Sequence, residues 1–405
     1  MDMMAVLASW HEEMTVIRRD LHANPELSFD EYQTAEKVAA RLESWGLEVQ
    51  RGLGGTGVVG ILKKGSSQHA IGLRADMDAL PMQEMNTFAH ASQHDGKMHA
   101  CGHDGHTAML LCAARYLASH ADFDGTVYFV FQPAEEFGAG ARQMMEDGLL
   151  TRFPMQAIFG LHNWPALEEG SFGVTSGPIM ASSNQFHVAI RGRGAHGAMP
   201  HEGVDPVMAA VQIAQMFQTI ITQNRDPLEA AVISVTQIHA GTADNVIPED
   251  AILRGTVRTF SLEALDLVET RMREIVEMAA AAMGCSGELT FTRNYPPTIN
   301  HETATAFCAG VMQALVGESR VNARVRPTMG AEDFAFYLQA IPGCYVWLGN
   351  GSGDHRLPGH GEAPCLLHNG AYDFNDAILP LGAAYWITLV QHWFTNPHQN
   401  SAWRL

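Results

Sequence analysis

A nine-residue stretch, from Met98 to His106, constrains this chain more than any other part of its sequence. It reads Met-His-Ala-Cys-Gly-His-Asp-Gly-His and so holds one thiol, three imidazoles and a carboxylate. An apolar repeat at three- and four-residue spacing starts at Met109, which predicts a loop that runs into the N-terminus of a helix. Thiolate and neutral imidazole are good ligands for zinc-like ions, so Cys101 and His103 indicate a metal site. The alternative is a buried structural cysteine beside ordinary loop histidines.

Length and charge narrow the classes of protein to consider. A chain of 405 residues is too long for one ordinary core, so two domains are expected. The net charge is −19 and no basic run is present, which argues against nucleic acid or an anionic membrane as a partner. The six scattered cysteines and the lack of a predicted secretory leader favour the cytoplasm. No apolar run reaches the roughly 18 residues that a membrane helix needs.

The order of predicted elements divides the chain into two domains. Residues 5–22 are predicted to form one helix, and buried strands then alternate with helices, which indicates an α/β sheet covered on both faces. A different unit starts near Ser183 and follows the order β-α-β-β-α-β, the split ferredoxin-like arrangement. We therefore expect a discontinuous main domain, residues 1–182 and 296–405, with an inserted domain over residues 183–295.

Ionisable residues follow three predicted strands at the point where each strand ends. Asp76 and Asp78 follow the first strand, Glu135 and Glu136 the second, and His162 the third. Ligands bind beyond the carboxyl ends of the strands in open α/β sheets, so one site could collect all of these side chains. A solvated turn could explain any one acidic strand end by itself.

The adjacent carboxylates Glu135 and Glu136 suit two separate roles. One can bind a metal while the other moves a proton, because a nearby dication separates the pKa values of neighbouring carboxyl groups. The alternative is a surface Glu-Glu turn, but the apolar strand before the pair argues against it.

Four motifs together resemble the M20 metallopeptidases, and within them the M20D amidohydrolases. This branch includes hippurate hydrolases, N-acyl-amino-acid amidohydrolases and auxin-conjugate hydrolases. The resemblance extends from His22 to Asn369. The motifs are Leu73-Arg74-Ala75-Asp76-Met77-Asp78-Ala79-Leu80-Pro81, the Ala100–His106 loop, Phe131-Gln132-Pro133-Ala134-Glu135-Glu136 and Gly194-Ala195-His196-Gly197-Ala198-Met199-Pro200-His201.

The resemblance implies a catalytic domain with a mixed sheet flanked by helices, as in zinc exopeptidases, and an inserted ferredoxin-like lid domain. It also implies a site with two divalent metal ions, for which zinc, manganese, cobalt and nickel remain candidates. Glu135 would be the general base, and Asp78 would orient a metal ligand. The implied metal ligands are Cys101 as the bridging ligand, His103, Glu136, His162 and His368.

The inserted domain carries further candidates. The resemblance places His196 over the reacting carbonyl, often reaching from a partner subunit, whereas an exposed loop histidine is the alternative. Arg258 and Asn245 suit a substrate carboxylate, although a strand arginine commonly just faces water. Gly330, in a further family-like motif, could let the backbone approach the substrate.

The predicted function is hydrolysis of the amide bond in small N-acyl amino acids. The resemblance also implies a homodimer that forms through the lid domain. Glu135 would take a proton from a water that bridges the ions and return it to the leaving amine. A dipeptidase or carboxypeptidase on the same scaffold is the main alternative. A non-catalytic protein that binds metal or amino acid is a second.

Overall fold

The computed structural model describes residues 2–356 and 358–395, so the last ten residues of the predicted 296–405 segment lie outside the described residues. Its sixteen strands in chain order are β1 Glu48–Leu53, β2 Gly57–Lys64, β3 Ala70–Asp76, β4 Gly125–Gln132, β5 Ala157–Pro165, β6 Phe172–Gly173, β7 Gly177–Met180, β8 Ser183–Arg191, β9 Ala195–His196, β10 Ala231–Ala240, β11 Val246–Ile247, β12 Asp250–Thr259, β13 Ser286–Tyr295, β14 Thr298–Asn300, β15 Val321–Asn322 and β16 Gly343–Gly351.

Eleven α-helices accompany these strands in the described chain, together with short 3-10 turns and one π-helical turn at Ile220–Asn224. The helices are α1 Met3–Ser9, α2 His11–Ala23, α3 Tyr32–Ser44, α4 His103–His120, α5 Gly140–Glu146, α6 Leu149–Arg152, α7 Pro206–Thr219, α8 Leu262–Ala282, α9 Glu302–Val316, α10 Ala335–Leu338 and α11 Leu379–Thr395. No helix in these two described stretches is long and apolar enough to span a bilayer.

The chain folds as two units. Unit 1 comprises Met1–Ile179, Ile299–Arg326 and Asp333–Leu405, and unit 2 comprises Met180–Thr298 and Pro327–Glu332. Unit 1 contains a mixed eight-stranded sheet in the order β1-β2-β4-β3-β5-β16-β6-β15. Its central strands β4, β3, β5 and β16 run parallel to one another, which brings their carboxyl ends to one edge. The predicted α/β class with a mixed sheet is confirmed.

Unit 2 has its own sheet and its own core. The four strands are antiparallel in the order β10-β12-β8-β13, and α7 and α8 supply the two helices of the β-α-β-β-α-β sequence. This strand order is that of the ferredoxin-like fold, as the sequence predicted. The core consists of alternate strand residues, such as Val188 and Ile190, packed against apolar helix faces that include Ile213 and Val268.

The prediction of one helix over residues 5–22 is wrong. α1 ends at Ser9 and α2 begins at His11, with Trp10 between them. The Trp10 ring lies under the guanidinium of Arg115, 4.1 Å from ring centroid to carbon, and edge-on to Tyr116 of α4. Packing against a helix distant in sequence therefore overrides the local apolar periodicity.

Candidate metal centre

The carboxyl-end edge of the unit 1 sheet gathers the ionisable residues that follow its strands. β3 ends at Asp76, which lies opposite Gln132, the last residue of β4. The segments after these strands carry Asp78 and Glu135–Glu136, while His162 lies near the end of β5. Ligands of α/β sheets bind at this kind of edge, so its geometry decides what the site can hold.

Gly102 lets the cysteine loop close onto this edge. It has φ +92° and directly precedes α4. A Cβ at this position would lie 2.3 Å from Asn163 Nδ2 and 2.5 Å from the Tyr372 hydroxyl, so only glycine fits without a shift. The turn places Cys101 Sγ 3.3 Å from His162 Nε2. Asn163 Nδ2 also donates to the Cys101 carbonyl at 2.6 Å, which fixes the loop from behind.

His103 has one ring nitrogen fixed by a carboxylate and the other left for a ligand. Its Nδ1 lies 3.2 Å from Asp78 Oδ1. Its Nε2 is buried and has no hydrogen-bond partner in the described chain, and it lies 4.0 Å from Glu136 Oε1. Asp78 Oδ2 accepts the Ser28 hydroxyl at 2.8 Å and the Glu136 backbone N–H at 3.0 Å. A histidine oriented by a carboxylate in this way is common at metal sites.

Glu136 and His368 form the more exposed side of the centre. Glu136 Oε1 lies 3.2 Å from His368 Nε2 and is a second buried atom without a hydrogen bond in the part of the chain described. His368 has φ +58°, its backbone N–H donates to Ala100 O at 2.8 Å, and its side chain is 53% exposed. A positive φ at a non-glycine residue is costly and persists only where the surroundings fix it.

The candidate ligands form two overlapping groups. Cys101, His103 and His162 make one group, and Cys101, Glu136 and His368 make the other; in each group the ligand atoms lie within 4.8 Å of one another. Cys101 belongs to both groups, as a ligand shared between two ions would. A thiolate, imidazoles and a carboxylate suit zinc-like and other first-row divalent ions. The residues present therefore fit a centre of two ions.

Two of these groups would lose a proton on binding a cation. Burial lowers the pKa of His103, but the carboxylates of Asp76, Asp78 and Glu136 outweigh it and raise the pKa to about 10, so a bound cation would displace a proton from the ring. Burial, followed by the carboxylates of Glu136 and Glu135, raises the pKa of the Cys101 thiol well above its usual range. A divalent ion would counter this effect because it stabilises the thiolate. Burial lowers the pKa of His162 well below its usual value, which keeps the imidazole in the neutral form that binds metals.

Glu135 is buried beside both groups. Its carboxylate, with His103 and Glu136, forms a further set whose ligand atoms lie within 4.8 Å of one another. Its Oε1 accepts the backbone N–H of Asp333 at 3.4 Å. The preceding residue, Ala134, has φ +53° and turns the chain sharply at the end of β4. A carboxylate in this position can exchange a proton with a group bound at the centre.

His106 and Asn163, to which the sequence assigned no role, support the centre from behind. His106 Nδ1 lies 2.6 Å from Asp76 Oδ1, and His106 Nε2 accepts the Asn163 backbone N–H at 2.9 Å. These contacts fix the orientation of the ring. Asp76 also accepts a 2.6 Å hydrogen bond from Arg74, so both of its oxygens contact protein. The only sequence signal for His106 is its place in the nine-residue stretch.

The remaining predicted residues belong to unit 2 and are described within it. His196 and Asn245 are exposed neighbours: His196 pairs with Val246 across the β9–β11 ladder, and Asn245 O accepts the Gly197 N–H at 2.7 Å. The His196 Nδ1 accepts the backbone N–H of Ala198 at 3.0 Å.

Arg258 and Gly330 occupy other parts of unit 2. Arg258 is half-buried on β12 opposite Val232, it has no ion-pair partner in the described residues, and burial lowers its pKa. Gly330 is exposed, and its carbonyl accepts the Ala181 N–H at 2.8 Å. A Cβ on Gly330 would make only ordinary contacts, the nearest 3.4 Å from Met180, so unit 2 itself does not require glycine there.

Comparison with known proteins places this centre in a family. Residues 72–392 match the model of peptidase family M20/M25/M40. The chain is 41% identical over 377 residues to a hippurate hydrolase of Campylobacter jejuni, covering 93% of this chain and 95% of that protein. It is 42% identical over 353 residues to an N-acetylcysteine deacetylase of Bacillus subtilis, covering 86% and 92%.

A solved structure supports the same relationship. The Bacillus subtilis YXEP protein, a dinuclear metal-binding peptidase of the M20 family, matches with a TM-score of 0.82 and 36% sequence identity. The match covers 96% of this chain and 99% of that chain.

Proposed function

The chain belongs to peptidase family M20/M25/M40, and from this premise we propose that it hydrolyses the amide bond of N-acyl amino acids with two divalent metal ions. The family resemblance drawn from the sequence is confirmed. The two relatives, a hippurate hydrolase and an N-acetylcysteine deacetylase, both carry names of enzymes that remove an acyl group from an amino acid. The shared chemistry is amide hydrolysis next to a free carboxylate.

One observation carries this proposal: two buried ligand atoms lack hydrogen bonds among the described residues at the point where the candidate ligands meet. These atoms are His103 Nε2 and Glu136 Oε1, 4.0 Å apart. A buried polar atom without a hydrogen bond costs about 1–3 kcal/mol, and two such atoms this close together indicate a cation between or beside them. The two overlapping ligand groups do not include Glu135, so we assign that carboxylate to proton transfer.

Bound ions would supply Lewis acidity, which lowers the pKa of a water molecule and polarises the scissile carbonyl. Glu135 takes the proton from the attacking water at its carboxylate and later gives it to the leaving amine. The Asp333 N–H on Glu135 Oε1 limits the rotation of that carboxylate. Asp78 keeps the proton of His103 on Nδ1, so that Nε2 presents a lone pair.

Unit 2 supplies the substrate contacts in this proposal. His196 donates to the oxyanion from Nε2, since its Nδ1 already accepts the Ala198 N–H. Arg258 pairs with the free carboxylate of the substrate, which would provide the anionic partner that it lacks in the described chain. Asn245 contacts the same carboxylate. Gly330 has no side chain and so lets the substrate approach the backbone.

We also propose a cytoplasmic homodimer that associates through the inserted domain, residues 183–295. β10 is an edge strand of the unit 2 sheet, and residues 236–240 at its end are exposed, with Ile238 52% exposed. An edge strand with an exposed apolar side chain is a common site of strand pairing between copies. Sedimentation velocity that shows only monomer at micromolar concentration would refute the dimer.

The test of the proposed function is activity of metal-stripped protein after addition of single ions. Zinc, manganese, cobalt and nickel are each supplied to aliquots, which are assayed on N-benzoyl and N-acetyl amino acids and on dipeptides. We expect no turnover without metal, recovery with at least one ion, and faster hydrolysis of the acylated amino acids. Preference for dipeptides would favour the peptidase alternative, and stoichiometric metal binding without any turnover would refute the enzyme.

A further inference from the structure

Strained backbone is concentrated at one contact in unit 1. Five non-glycine residues in the described chain have a positive φ, and three of them, Phe29 (67°), Ala134 (53°) and Ala139 (55°), lie in two segments that touch. The ring of Phe29 packs so closely on Gly138 that a Cβ there would lie 2.3 Å from it. Left-handed geometry costs an alanine about 1 kcal/mol and therefore needs a specific contact to hold it.

Glu31 provides that contact for Ala134. The Ala134 N–H donates to Glu31 Oε1 at 2.8 Å, and the Thr56 hydroxyl donates to Glu31 Oε2 at 2.5 Å. Glu31 is fully buried, and no cationic side chain lies within ion-pair distance of it in the described residues. Burial, with the charge of Asp78, raises the pKa of Glu31 to about 7. Burial of a carboxyl group costs free energy, which the two hydrogen bonds to Glu31 offset in part.

Ser28 holds the other side of the same turn. Its hydroxyl donates to Asp78 Oδ2 at 2.8 Å and lies 3.3 Å from the backbone N–H of Phe137, which donates to it. Residues 28–31 therefore contact the chain both before and after Glu135–Glu136. Neither Ser28 nor Glu31 was singled out from the sequence.

We propose that Glu31 is a positioning residue for the general base. It holds Ala134 in the left-handed conformation, and that conformation sets the direction in which Glu135 leaves the end of β4. Glu31 itself touches neither the reacting atoms nor the candidate metal ligands. The inference rests on the proposed function, because it assigns Glu31 a role through Glu135.

Three variants separate positioning from general stability. Glu31→Ala removes the acceptor, whereas Glu31→Gln keeps an amide oxygen for the Ala134 N–H and an NH2 that can donate to the Thr56 hydroxyl. Glu26→Ala is the matched control, because the Glu26 carboxylate caps α3 through the N–H groups of Gln33 and Thr34 (3.1 and 2.8 Å). Within residues 2–356 and 358–395 its carboxylate makes no hydrogen bond or ion pair with the 134–139 turn, so the variant tests loss of a carboxylate from the same segment.

For Glu31→Ala we expect kcat per folded molecule to fall about 10–100-fold with KM changed less than about threefold, because a misplaced base costs rate rather than binding. Glu31→Gln should keep kcat within about threefold of wild type. Glu26→Ala should lower the melting temperature and leave kcat within about twofold. A normal kcat in Glu31→Ala, or equal damage in Glu31→Gln, would overturn the proposal.

Two further measurements keep the result decisive. If Glu31→Ala does not fold, Thr56→Val weakens the same contact, and we expect a drop in kcat of about threefold or more with KM unchanged; a wild-type kcat would overturn the proposal. The turn also carries Glu136, a candidate metal ligand, so the visible spectrum of the cobalt-loaded protein reports on the turn independently of activity. We expect the bands of this spectrum to shift in Glu31→Ala but not in Glu26→Ala. If wild-type protein fails on every N-acyl amino acid, the proposed function fails, whereas an unshifted cobalt spectrum overturns the role of Glu31 alone.

Discussion

The two units place their candidate functional residues in opposite environments. In unit 1 these residues are mostly buried at the ends of parallel strands, and protein groups such as Asp78 and Asn163 fix their orientation. In unit 2 His196 and Asn245 are exposed on a two-stranded ladder, and Arg258 has no anionic partner among the described residues. Protein contacts restrain the first set before any ligand binds, whereas the exposed side chains of the second set keep rotamer freedom that a bound ligand would reduce.

The buried groups of unit 1 suit the chemical step, and the exposed groups that pair with a substrate carboxylate suit binding. A proton-transfer group must be held within a fraction of an ångström, which the buried turn of unit 1 can do. Groups that only pair with a substrate carboxylate can lie on exposed loops and strands, because a charge-assisted hydrogen bond tolerates side-chain adjustment. Changes to the buried groups of unit 1 should therefore affect kcat and folding, whereas changes to the residues of unit 2 that pair with the substrate carboxylate should affect KM.

The largest effect is expected from Glu135→Gln. The amide keeps the size of the side chain and can still accept the Asp333 N–H, but it cannot take a proton. We expect kcat to fall about 10³-fold while metal content stays at the wild-type level. Steady-state kinetics and elemental analysis of the same sample measure both. A kcat within tenfold of wild type would remove Glu135 from the role of base.

The contrast also explains which features the sequence could predict. The meeting of Asp76, Glu135 and His162 at one edge follows from buried parallel strands, whose ends coincide by geometry. His368 has no local signal, and only the family resemblance pointed to it.

The supporting contacts had no such signal. Glu31 meets Ala134 across 103 positions of the chain, and Asn163 meets His106 across 57. Neither pair has a periodicity or a composition that marks it, because hydrogen bonds of this kind depend on tertiary packing. The sequence could thus predict the sheet, its functional edge and, through the resemblance, Asp78, but not the other groups that hold that edge in place.

A glycine-to-alanine substitution should lower the free energy of unfolding more in the cysteine loop of unit 1 than on the surface of unit 2. Gly102→Ala forces a Cβ to within 2.3 Å of Asn163 Nδ2 at φ +92°, and we expect a loss of about 3 kcal/mol from overpacking and backbone strain. Gly284→Ala in unit 2 has a similar φ, +75°, but its nearest neighbour would be 3.5 Å away, so about 1 kcal/mol is expected. Urea unfolding followed by far-UV circular dichroism measures both. Equal losses of unfolding free energy would show that the packing around Gly102 is no closer than the packing around the exposed Gly284.

Buried charge in unit 1 should also give stability a pH dependence. Burial lowers the pKa of His22, but hydrogen bonds to Asp104 (2.9 Å) and Glu84 (3.2 Å) outweigh it and raise the pKa to about 9. The folded value exceeds the unfolded value of about 6.5, so the contribution is complete below pH 6.5 and is lost as pH rises towards 9.

We expect the free energy of unfolding to fall over that interval by at most about 1.4 kcal/mol per pH unit, and His22→Gln should flatten the slope. The exposed His239 of unit 2 is the control, and His239→Gln should leave the slope as in wild type. Urea titrations at constant metal concentration between pH 6.5 and 9 supply the data. An unchanged slope in His22→Gln would refute the assignment.

The smallest effect is expected from Arg258→Ala, and it should appear in KM alone. A charge-assisted pair with a substrate carboxylate contributes about 1.5–2 kcal/mol, so KM for an N-acyl amino acid should rise about 10–30-fold with kcat nearly unchanged. Arg254→Ala is a matched control, because Arg254 is an exposed arginine four residues away on the same strand. The corresponding N-acyl amino acid amide, which lacks the carboxylate, should show no difference between Arg258→Ala and wild type. An equal rise in KM for the amide would mean that Arg258 shapes unit 2 rather than pairing with the carboxylate, and binding would then have to be assigned to other residues of unit 2.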